Sequence, residues 1–321
     1  MIRQDKVIGV FGGGGFLGRY VISLLASDGY LIKVGGRHPE HYTHLKVGNA
    51  PGQLHFQKVD VRSFSTLDTF IEGCDAVINL VGILFEKGDQ RFEALHTYAA
   101  EKIASLCAKK KVQHLIYVSA LGAHLQSPSL YARTKAEAEQ SLLHNFPTAT
   151  ILRPSLLFGA EDHFFNRFAK MMQFSPLIPV FNKGKTRFQP VYVLDVARAI
   201  KACLDTTLHD HNDTPILHVQ GKTFELGGPD ILTFEELLEK IMDIIQRPKP
   251  IVHLPAFCGY GLSLLSKILP SPLLTMDQLR LLKSDSVCRE GSLRLQDLNI
   301  SPVSPDTILP LYLNQFSKSV S

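Results

Sequence analysis

Val7-Ile8-Gly9-Val10-Phe11-Gly12-Gly13-Gly14-Gly15-Phe16-Leu17-Gly18 is the stretch on which the reading of the whole chain turns. A short apolar run with β-branched residues ends in glycines, and Arg19-Tyr20-Val21-Ile22-Ser23-Leu24-Leu25 takes up a helical pattern at once. Strand, tight turn and helix in that order are the context in which such glycines signify a dinucleotide site. Gly12, Gly15 and Gly18 fall three apart. The first permits the turn, the second lets backbone approach a pyrophosphate, and the third lets the helix pack on the strand. The free N–H groups at the start of the helix, those of Phe16 and Leu17 among them, then face the phosphates.

Working outward, Tyr30 to Val34 reads as a second strand, and its end bears on cofactor choice. A site selective for NAD places Asp or Glu there, against the ribose 2′-hydroxyl. This chain has Val34-Gly35-Gly36-Arg37-His38, with no carboxylate. Arg37 offers a planar cation suited to a 2′-phosphate, so NADP(H) is expected in preference to NAD(H). Leu54 to Val61 alternates like a third strand and closes on Asp60-Val61, where the carboxylate can accept from an adenine amino group while Val61 packs on the ring. Asp75 to Gly82 is a largely apolar fourth strand, as expected for a strand covered on both faces. Its end, Asn79-Leu80-Val81-Gly82, is expected to line the cofactor. A helix follows from Phe92 to Lys109, then a fifth strand from His114 to Ser119.

Ser119 ends that strand on the side where open parallel sheets bind ligands. Twelve residues on, Tyr131-Ala132-Arg133-Thr134-Lys135 opens an Ala- and Glu-rich helix. Tyr131 and Lys135, four apart, share one helical face. Together the three suit a hydride-transfer site. Tyr131 would be the proton donor, Lys135 would lower its pKa and bind the nicotinamide ribose, and Ser119 would orient a substrate carbonyl.

Composition places the chain among ordinary globular proteins. Of 321 residues, 45% are apolar and 20% charged, with a net charge of +4. Basic residues are scattered, and the one run, Lys109-Lys110-Lys111, falls at the end of a predicted helix, where cations complement the dipole. No nucleic-acid partner is expected. The five cysteines, Cys74, Cys107, Cys203, Cys258 and Cys288, include no C-x-x-C pair, which speaks against a zinc site or disulfide framework and fits a reducing compartment. The first strand opens so near Met1 that no signal peptide is expected, and no apolar run reaches membrane-spanning length. A cytoplasmic protein is expected, with a peripheral place at the inner face of a membrane left open.

These motifs resemble the short-chain dehydrogenase/reductase superfamily in its extended or atypical branch. The second half narrows the likeness. Ala149 to Gly159, with an Arg153-Pro154 step that the resemblance sets near the nicotinamide, is similar to that branch's sixth strand. Glu161 to Phe168, Phe188 to Ile200, Phe224 to Pro229 and Leu274 to Leu279 continue it. Together they resemble bacterial relatives of the nucleotide-binding accessory subunit (alpha-subcomplex subunit nine) of respiratory complex I. The resemblance implies an α/β fold: a Rossmann-type, doubly wound parallel sheet over residues 1–158 and a smaller mixed lobe over 159–321, with 186–205 returning to the sheet. It also implies NADPH held as a structural ligand and association with complex I. Two departures stand out: Gly14 replaces the threonine of many relatives, and the Ser119–Tyr131 spacing is short for extended members. The other readings kept are a stand-alone NADPH-dependent reductase of a lipophilic carbonyl or quinone, and a sugar-nucleotide epimerase or dehydratase. The missing acid after Val34 weighs against the last.

Beyond Gly159, Phe164, Phe165, Phe168, Met171, Met172 and Phe174 recur at roughly helical spacing, favouring a core face over a lipophilic pocket. Asp195 is expected to cap a helix running through Leu204. Leu208-His209-Asp210-His211-Asn212-Asp213 reads as a surface loop rather than a metal site, and Thr233-Phe234-Glu235-Glu236 as a capping box. Pro255 to Pro270 is the most apolar late segment, a buried lid helix in preference to an interfacial one. The tail Ile308 to Leu313 is expected to pack back on the fold.

Overall fold

The apolar runs of the first half pair side by side because each has two faces to bury. In the computed structural model, which describes residues 6–46, 50–208, 218–254 and 275–317, they form part of a seven-stranded sheet whose neighbours are all parallel. Its strands are β1 (Val7–Phe11), β2 (Leu31–Gly36), β3 (Leu54–Lys58), β4 (Ala76–Asn79), β5 (His114–Val118), β6 (Thr150–Pro154) and the edge strand Thr223–Leu226. Across the sheet they run Thr223–Leu226, β6, β5, β4, β1, β2, β3. This is the doubly wound, Rossmann-like α/β arrangement expected from the sequence, and the order reverses between β1 and β4.

Alternation along each strand feeds two cores. Ile8, Val10, Ile78, Ile116 and Leu152 face α1 (Phe16–Ser27) and α6 (Val193–Leu208). Phe11, Val77, Leu115, Tyr117 and Ile151 face α2 (Phe64–Ile71), α3 (Ala99–Lys109) and α4 (Leu130–Asn145). The helix expected from Phe92 is present, but its stretch Glu93–Tyr98 is wound as π-helix before α3 proper. A third core joins Phe158, α5 (Phe165–Phe174), α7 (Phe234–Ile245) and the helix Pro305–Leu313.

Within residues 186–205, Arg187–Phe188 and Val191–Tyr192 are short strands outside the seven-stranded sheet, and α6 begins at Val193. Val191–Tyr192 pairs with Leu157–Phe158 in a two-stranded ladder of its own, and α6 packs against α1. The segment that joins the sheet edge is Thr223–Leu226, one element later. Asp195 does not cap α6, because the helix already begins at Val193. Its carboxylate is buried in the first turn, where it accepts the Val303 N–H (2.8 Å) and an Arg198 N–H (3.0 Å).

Thr233 forms the expected capping box with Glu236, each side chain taking the other's backbone N–H. Phe164, Phe165, Phe168, Met171 and Met172 pack in the third core, whereas Phe174 is 80% exposed. In the tail, Leu309 and Leu313 are fully buried and Tyr312 donates to Asp162 (2.5 Å). Residues 209–213 of the polar loop and the whole of 255–270 lie outside the described residues. Among those described, no helix is long and apolar enough to cross a membrane.

Candidate functional site

Where the strand order of such a sheet reverses, the connections leave in opposite directions and open a crevice at the carboxyl ends. Here that crevice lies between the turn after β1 and the end of β4. Gly12 has φ +76°, and its N–H donates to Gly35 O (3.2 Å). A β-carbon on it would fall 3.2–3.3 Å from backbone atoms of Leu80 and Val81. At Gly18 the same atom would lie 2.4 Å from Gly13 O, so only glycine lets α1 approach the turn this closely. Gly15 differs: a β-carbon there would meet nothing closer than Gly12 O at 3.2 Å. No side chain caps α1 and its first turn carries no acid, which leaves the N–H groups around Phe16 and Leu17 to an outside anion.

At the other side of the turn, Arg37 follows β2 directly and is exposed. Asp60 is engaged: Arg62 donates to both its oxygens (Nε 2.9 and 3.2 Å, Nη2 2.7 Å), and the Arg62 N–H adds a fourth bond (3.0 Å). Arg62 holds this carboxyl below its usual range. Val61 is buried beside it. Leu80 and Val81 are half-buried and Gly82 is exposed.

The opposite end is built on β5 and α4. Lys135 is buried, and its ammonium donates to Val118 O (3.0 Å) and Val81 O (3.5 Å), 4.9 Å from the centre of the Tyr117 ring. Burial lowers its pKa to about 8. Tyr131, one turn earlier, meets Phe92 and His96 edge-on at 5.9 and 5.4 Å. Lys135 was expected to lower the phenol's pKa. In the structure burial instead pushes it up to about 12, because desolvation opposes the phenolate. Pro154 is buried at the end of β6, opposite Leu226. Arg153 turns the other way, onto Glu139 of α4 (2.9 Å) and Glu225 (3.6 Å), so it serves as an ion-paired tie between elements.

Three buried polar side-chain atoms at these strand ends have no partner among the described residues: Asn79 Nδ2, Tyr117 Oη and Ser119 Oγ. Native folds rarely leave such atoms unsatisfied, and a cluster of them marks a place for a polar ligand. Asn79 and Tyr117 are neighbours in register across β4 and β5, and Asn79 Oδ1 accepts the Val81 N–H (3.0 Å). The residues present therefore fit a dinucleotide along the crevice.

Two contributors escaped the sequence reading. His96 is fully buried, its Nδ1 on Thr134 Oγ1 (3.1 Å) and its Nε2 accepting the Ile83 N–H (3.2 Å). Burial, with Lys135 adding to it, lowers its pKa to about 2, so it stays neutral. Asp277, from the helix Met276–Leu281, grips the start of α4. It accepts from the Leu130 N–H (2.7 Å), the Tyr131 N–H (3.0 Å) and Ser129 Oγ (2.7 Å). The stretch Leu274 to Leu279 had marked the resemblance, but nothing local announces a contact 146 residues away.

Residues 8–214 match the NAD dependent epimerase/dehydratase family. The chain is 37% identical over 305 residues to the mitochondrial NADH dehydrogenase [ubiquinone] 1 alpha subcomplex subunit 9 of Arabidopsis thaliana, covering 91% of this chain and 73% of that protein. It is 30% identical to the mitochondrial NADH-ubiquinone oxidoreductase 40 kDa subunit of Neurospora crassa, covering 96% and 78%. A ceramide reductase of Caulobacter vibrioides is 28% identical over 61% of this chain and 60% of its own length. Among solved structures, a UDP-glucose 4-epimerase from Thermotoga maritima superposes with a TM-score of 0.67 at 17% identity, over 97% of this chain and 98% of that one.

Proposed function

This chain belongs to the NAD dependent epimerase/dehydratase family, and from that premise we propose that it holds NADPH, in preference to NADH, as a structural ligand and is an accessory partner of a respiratory NADH dehydrogenase at the inner face of its membrane. Residues 1–158 would carry the dinucleotide and 159–321 would close over its nicotinamide end. The observation that carries the reading is the set of buried, unpartnered Asn79 Nδ2, Tyr117 Oη and Ser119 Oγ beside an uncapped glycine turn. The adenosine end favours NADPH through Arg37 and the missing carboxylate after Val34. Gly12, Gly15, Phe16, Leu17 and Gly18 would take the pyrophosphate, Asp60 and Val61 the adenine, and Leu80, Val81, Gly82 and Pro154 the central and nicotinamide portions. The partner is suggested by relatives whose names place them in mitochondrial NADH dehydrogenase. A ligand that binds only the folded chain stabilises it in proportion to the logarithm of its excess over Kd.

A second reading, a reductase, is favoured by the placing of Lys135 at the end of β5 beside Ser119, one turn from Tyr131. When bound, NADPH supplies a hydride. Tyr131 would hold the proton at Oη for a carbonyl or quinone oxygen, Lys135 would bind the ribose, and Ser119 Oγ would orient the substrate.

One experiment separates the two. The tagged full chain is recovered gently from native membranes and its nucleotide assayed in the same eluate. Near-stoichiometric NADPH together with NADH dehydrogenase subunits is the expected result. Recovery alone from the soluble fraction would favour the reductase, and absence of nucleotide with no thermal shift on adding either dinucleotide would overturn both.

A further inference from the structure

Residues Pro39–Lys46 form a short 3-10 segment after Arg37, and Tyr42 folds back from it over the glycine turn. Its ring rests on two glycines from different strand ends. A β-carbon at Gly14 would fall 1.9–2.3 Å from three ring carbons. One at Gly36, the last residue of β2, would lie 2.6 Å from the ring and 3.0 Å from the hydroxyl oxygen. No other residue type leaves room for the ring at either position, so Gly14 and Gly36 form a slot that sets its place. The slot spans the interval between the turn that approaches a pyrophosphate and the strand end that reads the ribose 2′ position. The hydroxyl lies at the Gly36 end, next to Arg37, and donates to no described residue. Of the nearby side chains, His38 is turned to Glu40 (3.2 Å) and stacks on His41.

We propose that Tyr42 is a specificity-determining residue for the adenosine end of the cofactor, its hydroxyl donating to the 2′-phosphate whose charge Arg37 offsets. The proposal rests on the NADPH reading above and adds a residue to it. A phenol O–H on a phosphate oxygen is a charge-assisted hydrogen bond, and NADH offers no such acceptor. The selectivity is therefore divided between a cation on a free stem and a hydroxyl fixed by its slot.

The test titrates the full-length wild type, Y42F, Y42A, G14A and the G14A/Y42A double variant with NADPH and NADH, following reduced-nicotinamide fluorescence. Y42F should weaken NADPH about tenfold and leave NADH within about twofold, the loss of one charge-assisted bond. G14A should expel the ring and reproduce that loss, and it should cost nothing further in the Y42A background, since the two residues share one contact. A wild-type preference for NADPH that survives undiminished in Y42F overturns this proposal alone. Tighter binding of both dinucleotides by Y42A overturns it too, making the ring a plug. A wild type that does not prefer NADPH overturns the reading beneath it as well.

Discussion

The two ends of the crevice are finished differently. At the glycine turn, the first backbone N–H groups of α1 meet no side-chain cap among the described residues, and Arg37 stands exposed after β2. At the α4 end, Lys135 is tied to two carbonyls, His96 bridges Thr134 and Ile83, and the start of α4 is clasped by Asp277, while Ser119 Oγ and Tyr117 Oη on β5 keep no partner among the described residues. The first end is built to receive an anion; the second fixes its ammonium and imidazole and leaves only neutral hydroxyls for a ligand. A protein whose cofactor is mainly structural needs the first to be open and the second to be rigid. The contrast can be broken or sharpened one residue at a time.

The largest effect is expected at the open end. Gly15→Asp would put a carboxylate at the positive end of α1, where it would itself take the role of the missing anion. Dinucleotide affinity should fall by at least about a hundredfold, since a like charge now meets the pyrophosphate in a confined site. The ligand-free chain should melt within about 2 °C of wild type, because a β-carbon there meets one backbone atom, Gly12 O at 3.2 Å, which need yield only a few tenths of an ångström. Isothermal titration and a melting curve read the two quantities separately. Retained affinity would mean that the turn is only a turn.

Asp277 tests the rigid end. Asp277→Ala removes the acceptor of two backbone N–H groups and one hydroxyl. Losses of this kind cost about 2–3 kcal/mol, or roughly 3–5 °C in Tm for a chain of this size. Hydrogen exchange at the Leu130 and Tyr131 amides should rise in step. Unchanged protection of those two amides would show that the clasp is not what holds the start of α4.

A smaller effect is read as a slope. Folding keeps the His96 imidazole neutral by lowering its pKa to about 2, whereas an unfolded histidine titrates near 6.5. Below pH 6.5 the unfolded chain binds a proton that the native chain does not. Stability present above that pH is therefore lost as pH falls, by about 1.4 kcal/mol per unit, until the folded value is approached. In His96→Gln that share of the slope between pH 6.5 and 4.5 should vanish, whatever the variant's stability at pH 7. Urea unfolding at three pH values measures it, and an unchanged slope would place the acid sensitivity elsewhere.

Legibility in the sequence followed physical locality. Strands β1, β4 and β5 showed because each is a short, largely buried apolar run, β3 because it alternates at the sheet edge, and the glycine turn because its spacing is contiguous. The edge strand Thr223–Leu226 was passed over as a strand: its four residues include Glu225, which is drawn into ion pairs with Arg153 and Arg289. Ser119, Tyr131 and Lys135 could be named from spacing, but the state of Lys135 could not, since its partners are carbonyls on two other segments. Tyr42 and Asp277 share that difficulty. Each acts across a contact that only the folded chain creates.

Tyr131→Phe carries the smallest expected change and divides the two functional readings. The phenol is pushed up to about 12, so at neutral pH the substitution removes a neutral O–H and no charge. The edge-on contacts with Phe92 and His96 belong to the ring, which phenylalanine keeps. Stability should stay within about 0.5 kcal/mol, and dinucleotide affinity within about twofold, the weight of a fraction of one hydrogen bond. Co-recovery with NADH dehydrogenase subunits should be untouched if the cofactor is structural. If the chain is a reductase, the same variant keeps its NADPH and loses turnover, because the group that holds the proton at Oη is gone while the groups that hold the dinucleotide remain. A large loss of affinity would instead make the hydroxyl a cofactor contact, and the α4 end would then be built to receive a ligand just as the glycine turn is.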